Sequence, residues 1–128
     1  MPNRRFALVR RPLLRALNSW RELMSEIAKT PKPPYYAVIF TSLLKEDADG
    51  YGEMADKMVE LAAAQPGFLG IESVRDDLGI TVSYWSDIES IKNWKSNVDH
   101  QKAQRMGREQ WYVSFKVRVS KVERDYGI

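Results

Sequence analysis

At 128 residues, with 44% hydrophobic and 29% charged side chains, the chain has the size and balance of one globular domain able to bury a core. It contains no cysteine and one histidine, which excludes disulfides, thiolate nucleophiles and zinc–thiolate sites and leaves any metal dependent on carboxylates. The formal charge of +3 is unevenly placed: six arginines against one glutamate give residues 1–23 a net +5, and the fourteen basic and sixteen acidic residues that remain give −2.

A nucleic-acid binder needs a basic face with interleaved aromatics on its folded body, so a mildly acidic body argues against a nucleic-acid partner. No run approaches the roughly 20 apolar residues of a membrane span, and the arginine-rich start never opens into the apolar stretch of a secretory signal. A cytoplasmic location is expected. The prolines of TPKPPYY, at 31, 33 and 34, forbid helix and favour an extended connector, dividing the chain into an appendage, 1–34, and a domain, 35–128.

In the appendage, Pro12 suits the first turn of a helix. Leu13, Leu17, Trp20, Met24 and Ile27 then recur at spacings of four and three, an apolar stripe flanked by arginines. Such a helix needs a surface: its own domain, a dimer mate, or an anionic membrane. After the connector, YYAVIFTSLL is β-branched and aromatic and reads as a strand, closed by the turn-forming EDADG. YGEMADKMVELAAAQ reads as a helix with Met54, Met58, Leu61 and Ala62 on one face, stopped by PGF. FLGIESVRD and GITVSYWS read as a hairpin around Asp77 and Leu78, with Gly79 available for the turn.

Ser86 and Glu89 form an S-x-x-E capping pattern opening a second helix, whose Ile88 and Ile91 face inward with Trp94 at the stripe's edge. Ser96 and Asp99 repeat the pattern, so a break is expected near Ser96, followed by a segment whose inner face carries His100, Ala103, Gln104 and Gly107. WYVSFKVRVSKVERDY alternates through Trp111, Val113, Phe115, Val117 and Val119, over a length that predicts extension beyond its own sheet.

Strand, helix, strand, strand, helix, strand predicts an α+β fold: a ferredoxin-like βαββαβ sandwich with an antiparallel sheet and both helices on one face. The bare opposite face, together with the long last strand, predicts a homodimer pairing into a dimeric α+β barrel.

The chemistry legible in the residues centres on a space between helix and sheet, with Trp94 and Trp111 at its ends. There His100 offers a general base and the tryptophans an apolar wall for an acidic phenol or quinol. The bland alternative gives His100 a backbone carbonyl or a rim water and lets the tryptophans simply pack. Asp76 and Asp77 read as a solvated loop, and Asp47 and Asp49 as helix-start residues. The scattered glycines form no phosphate-binding loop.

PGFLGIES, the passage SYWSDIESIKNW and the following HQKAQRMGREQWY resemble the antibiotic biosynthesis monooxygenase (ABM) domain family, from about Tyr35 to Tyr126. The resemblance implies a homodimeric α+β barrel with a pocket in each subunit. Some members are monooxygenases that oxygenate aromatic polyketides without flavin, metal or haem; others degrade haem. Trp94 matches the helix tryptophan of the haem-degrading branch. That branch's haem-ligating histidine falls on Gln104, and its strand-one asparagine on Thr41 or Ser42. An amide is a poor iron ligand, so the expectation is a monooxygenase without cofactor. Its substrate would be a small hydrophobic aromatic, with Trp94, Trp111 and Phe40 holding the ring. His100 accepts a proton, Ser42 or Gln104 orients an oxygen atom, and Tyr84 is a further candidate for assisting deprotonation. The competing expectation is a ligand-binding or stress-related homodimer without catalysis.

Overall fold

The computed structural model describes residues 24–99 and 111–128. Six elements follow in the predicted order: β1 (Tyr35–Leu44), α1 (Tyr51–Ala63), β2 (Phe68–Arg75), β3 (Leu78–Trp85), α2 (Ile88–Asp99) and β4 (Tyr112–Val122). The strands form one antiparallel sheet in the order β2-β3-β1-β4, with α1 packed over β2 and α2 over β3. This is the ferredoxin-like βαββαβ arrangement. Among the described residues no helix is long and apolar enough to cross a membrane.

Strand periodicity sorts the side chains between two faces. Tyr36, Val38, Phe40 and Ser42 of β1 point to the helices, opposite Trp85, Ser83, Thr81 and Gly79 of β3. The core on this side is Ala62 of α1, Ile91 of α2 and the fully enclosed Trp85, with Tyr36, Val38, Phe68 and Trp94 packed around them. Trp85 meets Phe68 edge-on with centroids 5.5 Å apart and Trp94 face-on at 6.3 Å, while its Nε1–H donates to Ser83 Oγ at 2.9 Å. A buried indole keeps its hydrogen bond and contributes its large apolar surface. On α1 the buried residues are Val59 and Ala62: Ala62 lies on the predicted face, Val59 does not, and Met54, Met58 and Leu61 of that face are half-buried.

Three local expectations are corrected. Gly79 takes no turn: it lies within β3, paired with Arg75 and Ser42. The cap of α2 is Asp87, whose Oδ1 accepts the Ser90 N–H at 2.7 Å, with Ser86 Oγ donating to its Oδ2 at 3.1 Å. Ser96 does not interrupt the helix, which continues to Asp99. Within that span the i→i−4 ladder and the burial of Val98 outweigh the local S-x-x-D pattern.

The cap gives a pH signature. Hydrogen bonds from Ser90, backbone first, hold the Asp87 carboxyl below its ordinary value. A carboxylate depressed in the folded state contributes stability above its unfolded pKa, and the contribution is lost as pH falls through the folded value. Asp87→Ala should therefore lower the melting temperature at pH 7, and the gap from the parent should close as the pH is taken below the carboxylate range in thermal scans followed by circular dichroism.

β4 is shorter than predicted. Its residues Tyr112–Val122 pair along the whole of β1, from Leu44 to Tyr35, so no paired portion overhangs the sheet. Phe115, Val117 and Val119 face the helix side but stay roughly half exposed, at 45, 49 and 50%, because the helices lie over β2 and β3 rather than over β4.

The opposite face is covered in part by the chain itself. Residues 24–30 cross it above β2 and β3, where Ala28 lies against Gly70: a Cβ on Gly70 would stand 2.8 Å from that of Ala28. The Ala28 N–H donates to Glu72 Oε2 at 2.9 Å. Thr30 Oγ1 donates to the Tyr35 hydroxyl, which donates to Asp125 of the C-terminal tail. The chain's own domain, one of the surfaces expected for the N-terminal segment, thus receives its last residues. Ile27 is 87% exposed and so lies outside any packed stripe, while the rest of the predicted appendage helix before Met24 falls outside the described residues.

Candidate functional site

The helix-side face has two ends. Trp85 pairs with Tyr36 at one, and Ser42 with Gly79 at the other, six residues or about 20 Å along β1. Trp94 belongs to the first end, stacked on Trp85. Trp111 belongs to the second, where its Nε1–H donates to the Asp49 carbonyl at 2.9 Å and its ring meets Tyr51 edge-on at 5.9 Å.

That second end is an aromatic cluster. Phe40 contacts Tyr112 at 5.5 Å and Phe115 at 5.4 Å between centroids, and Tyr112 contacts Tyr51 at 5.7 Å and Phe115 at 5.6 Å. Phe40 arrives from β1, Tyr51 from the first turn of α1, and Tyr112 and Phe115 from the start of β4, which the antiparallel β1–β4 register brings alongside. Beneath the rings Ser42 is 2% exposed.

Ser42 is held by Arg75. The guanidinium donates from Nη2 to Ser42 Oγ at 2.5 Å and from Nη1 to the Ser42 carbonyl at 3.4 Å, and its Cζ lies 5.4 Å from the centre of the Tyr51 ring. Gly79 makes this possible, since a Cβ there would stand 2.7 Å from Arg75 Nε. A glycine inside a strand marks a close approach, and the approaching group is a cation. A guanidinium donates and never accepts, so Ser42 keeps its own O–H for another acceptor.

Of the residues singled out from sequence, Phe40, Ser42 and Trp111 come together, and Trp94 stands at the far end of the same face. Tyr84 is on the other face, opposite Ala37, where its hydroxyl donates to Glu72 Oε1 at 2.6 Å and its ring meets Tyr35 edge-on at 5.9 Å. Burial, then the bond to Glu72, pushes the Tyr84 phenol well up, and the bond to Asp125 pushes Tyr35 up. Both remain protonated donors at neutral pH. His100 and Gln104 lie outside the described residues.

Arg75, Tyr51, Tyr112 and Phe115 join the site without having been singled out for it. Arg75 had a signal, the in-strand Gly79, which a turn assignment concealed. No group of three or more His, Asp or Glu arranged for a metal occurs among the described residues.

The antibiotic biosynthesis monooxygenase model matches residues 34–106, more than half of the chain. The chain belongs to the ABM family. A curated relative, the uncharacterized protein YqjZ of Bacillus subtilis strain 168, is 56% identical over 104 residues, 80% of this chain and 91% of that one. Solved structures agree on the ABM fold. PA3566 from Pseudomonas aeruginosa superposes with a TM-score of 0.59 at 17% identity, covering 75% of this chain and 99% of that one. SnoaB from Streptomyces nogalater, a cofactor-independent oxygenase, superposes with a TM-score of 0.55 at 11% identity, covering 75% of this chain and 98% of that one.

Proposed function

We propose that this ABM protein is a cofactor-independent monooxygenase acting on a small hydrophobic aromatic of the quinol type, and that its working form is a homodimer. The observation carrying the reaction is the aromatic cluster of Phe40, Tyr51, Tyr112 and Phe115 over the buried Ser42, on the helix side of an ABM sheet. Flat apolar rings with one buried hydroxyl suit an aromatic substrate that must be oriented by a single oxygen. A family containing an oxygenase named as cofactor-independent supports the reaction class.

The reaction needs no external reductant. A quinol and dioxygen give a hydroxyquinone and water: the ring supplies four electrons, and one oxygen atom enters the product. The protein has to hold the ring, remove a phenolic proton so that the anion can pass an electron to oxygen, and orient the reacting oxygen. Phe40 and Trp111 hold the ring; Ser42 orients an oxygen atom, with Gln104 assisting. His100 is the base.

Oxygen uptake with 1,4-naphthohydroquinone, corrected for autoxidation, tests this. Uptake should rise with pH through the histidine range, about 6.5 before environmental shifts, and His100→Gln should flatten that rise. Phe40→Ala should lower kcat/KM about tenfold or more through lost ring positioning. Absence of uptake above autoxidation, with the quinol still bound, would leave a ligand-binding dimer. The dimer is supported by the apolar residues left on the other face, Leu43, Val74, Leu78 and Ile80, which remain exposed beside the crossing segment. Sedimentation should give twice the monomer mass, and Ile80→Asp should give a folded monomer.

A further inference from the structure

We infer that Arg75, with Ser42 and Tyr51, anchors an anionic oxygen, so that this site takes aromatic anions, phenolates or carboxylates, in preference to neutral rings. The inference rests on the proposed location of substrate at the aromatic cluster but not on the oxygenation itself.

Three observations carry it. The guanidinium's hydrogen-bond partners among the described residues, Ser42 and Tyr51, are neutral. Only three of its five N–H donors are engaged by them, and one of those contacts, to the Tyr51 hydroxyl, is long at 3.5 Å. Arg75 is an exposed residue, so its unengaged N–H groups are open to an incoming anion, to which they offer charge-assisted hydrogen bonds.

The second observation is rigidity. Arg75 is held from both sides, by the backbone and hydroxyl of Ser42 and by the Tyr51 ring, so little side-chain freedom is lost when a ligand binds. The third is position. Tyr51 carries the cation on its ring and also contacts Tyr112 and Trp111, so charge and aromatic surface adjoin through one side chain.

The test is equilibrium binding of four probes, followed by quenching of intrinsic fluorescence. The anions are 2-naphthoate, a carboxylate, and 2-hydroxy-1,4-naphthoquinone, an enolate; their neutral counterparts are 2-naphthamide and 1,4-naphthoquinone. The full chain should bind each anion at least about tenfold more tightly than its counterpart, as a charge-assisted hydrogen bond implies. Arg75→Gln should abolish that preference while leaving the neutral probes within about twofold. Arg75→Lys should keep part of it, because charge survives and the fork does not. Preference for one anion alone assigns the oxygen type and sustains the anchor.

No anion preference in the parent chain, or a preference unchanged in Arg75→Gln, overturns the inference. So does an Arg75→Gln that lowers the melting temperature with the preference intact, which would make the guanidinium a strut for Ser42. An anion preference without oxygen uptake removes the proposed reaction and keeps the anchor. Oxygen uptake from an anionic substrate with KM unchanged in Arg75→Gln does the reverse.

Discussion

Trp85→Ala should cost about 3–5 kcal/mol of folding stability, the range for truncating a buried aromatic to alanine. Trp85 is 0% exposed and is the junction of the core: Ala62 from α1 and Ile91 from α2 cluster with it, and Phe68 and Trp94 pack against its ring. Removing the indole leaves a cavity roofed by two helices, neither of which can move inward without losing contact with its own strand. It also frees Ser83 Oγ from its indole donor. Against a domain stability of about 5–15 kcal/mol this is a large fraction. In urea denaturation the midpoint should fall sharply with little change in slope. Trp85→Phe should recover much of the loss, since it keeps the edge-on partner for Phe68 while giving up only the Ser83 bond and part of the volume. A midpoint unchanged in Trp85→Ala would mean that the helices do not pack on the sheet as described.

The order of elements was legible because each strand and helix carries its own period. The β-branched and aromatic run YYAVIFTSLL marks β1 over the very residues observed, Tyr35–Leu44. What was not legible is competition between a local signal and its surroundings. Ser96 and Asp99 look like a cap, but a cap signal competes with a helix already running, and Val98 gains by staying on the buried face. Gly79 looks like a turn residue, and its purpose is visible only when Arg75 is seen lying across it from the neighbouring strand. The partial cover of the second sheet face depends on Gly70 and Ala28, residues 42 apart in sequence, and no periodicity reports that contact.

The site divides the same way. Phe40 and Ser42 share a strand face, and Trp111 immediately precedes Tyr112, the first residue of the adjacent strand, so strand periodicity and pairing suffice to bring them near one another. Tyr84 was separated from them by one residue of parity, since Trp85, Ser83 and Thr81 face the helices and Tyr84 and Val82 therefore cannot. Arg75 was hidden for a different reason. An arginine beside two aspartates at a hairpin tip reads as a solvated charge, and only the β3–β1 register carries Ser42 to within its reach.

Gly67→Ala should destabilise the fold by about 2–4 kcal/mol, for two reasons that can be separated. Gly67 has φ +88°, where an L side chain costs roughly 1–2 kcal/mol. A Cβ there would also stand 2.6 Å from Ser90 Cβ and 2.9 Å from Ser86 Oγ, inside contact distance. Neither neighbour is free to retreat. Ser90 is buried in the first turn of α2 with its N–H on Asp87, and the Ser86 N–H donates to the Gly67 carbonyl at 2.8 Å. The added methyl must therefore push α2 away from the turn that follows α1 or distort the turn itself. In a Ser90→Gly background the nearest obstacle is gone, and the cost of Gly67→Ala should fall toward the backbone contribution alone, so that a double-mutant cycle by urea denaturation returns a coupling of about 1 kcal/mol or more. Strict additivity would place the whole cost in the backbone and would show that the start of α2 can move away from Gly67. Coupling at the expected size would show that α2 is pinned to the sheet at its first turn, which fixes where its later residues, Trp94 among them, meet the helix-side face.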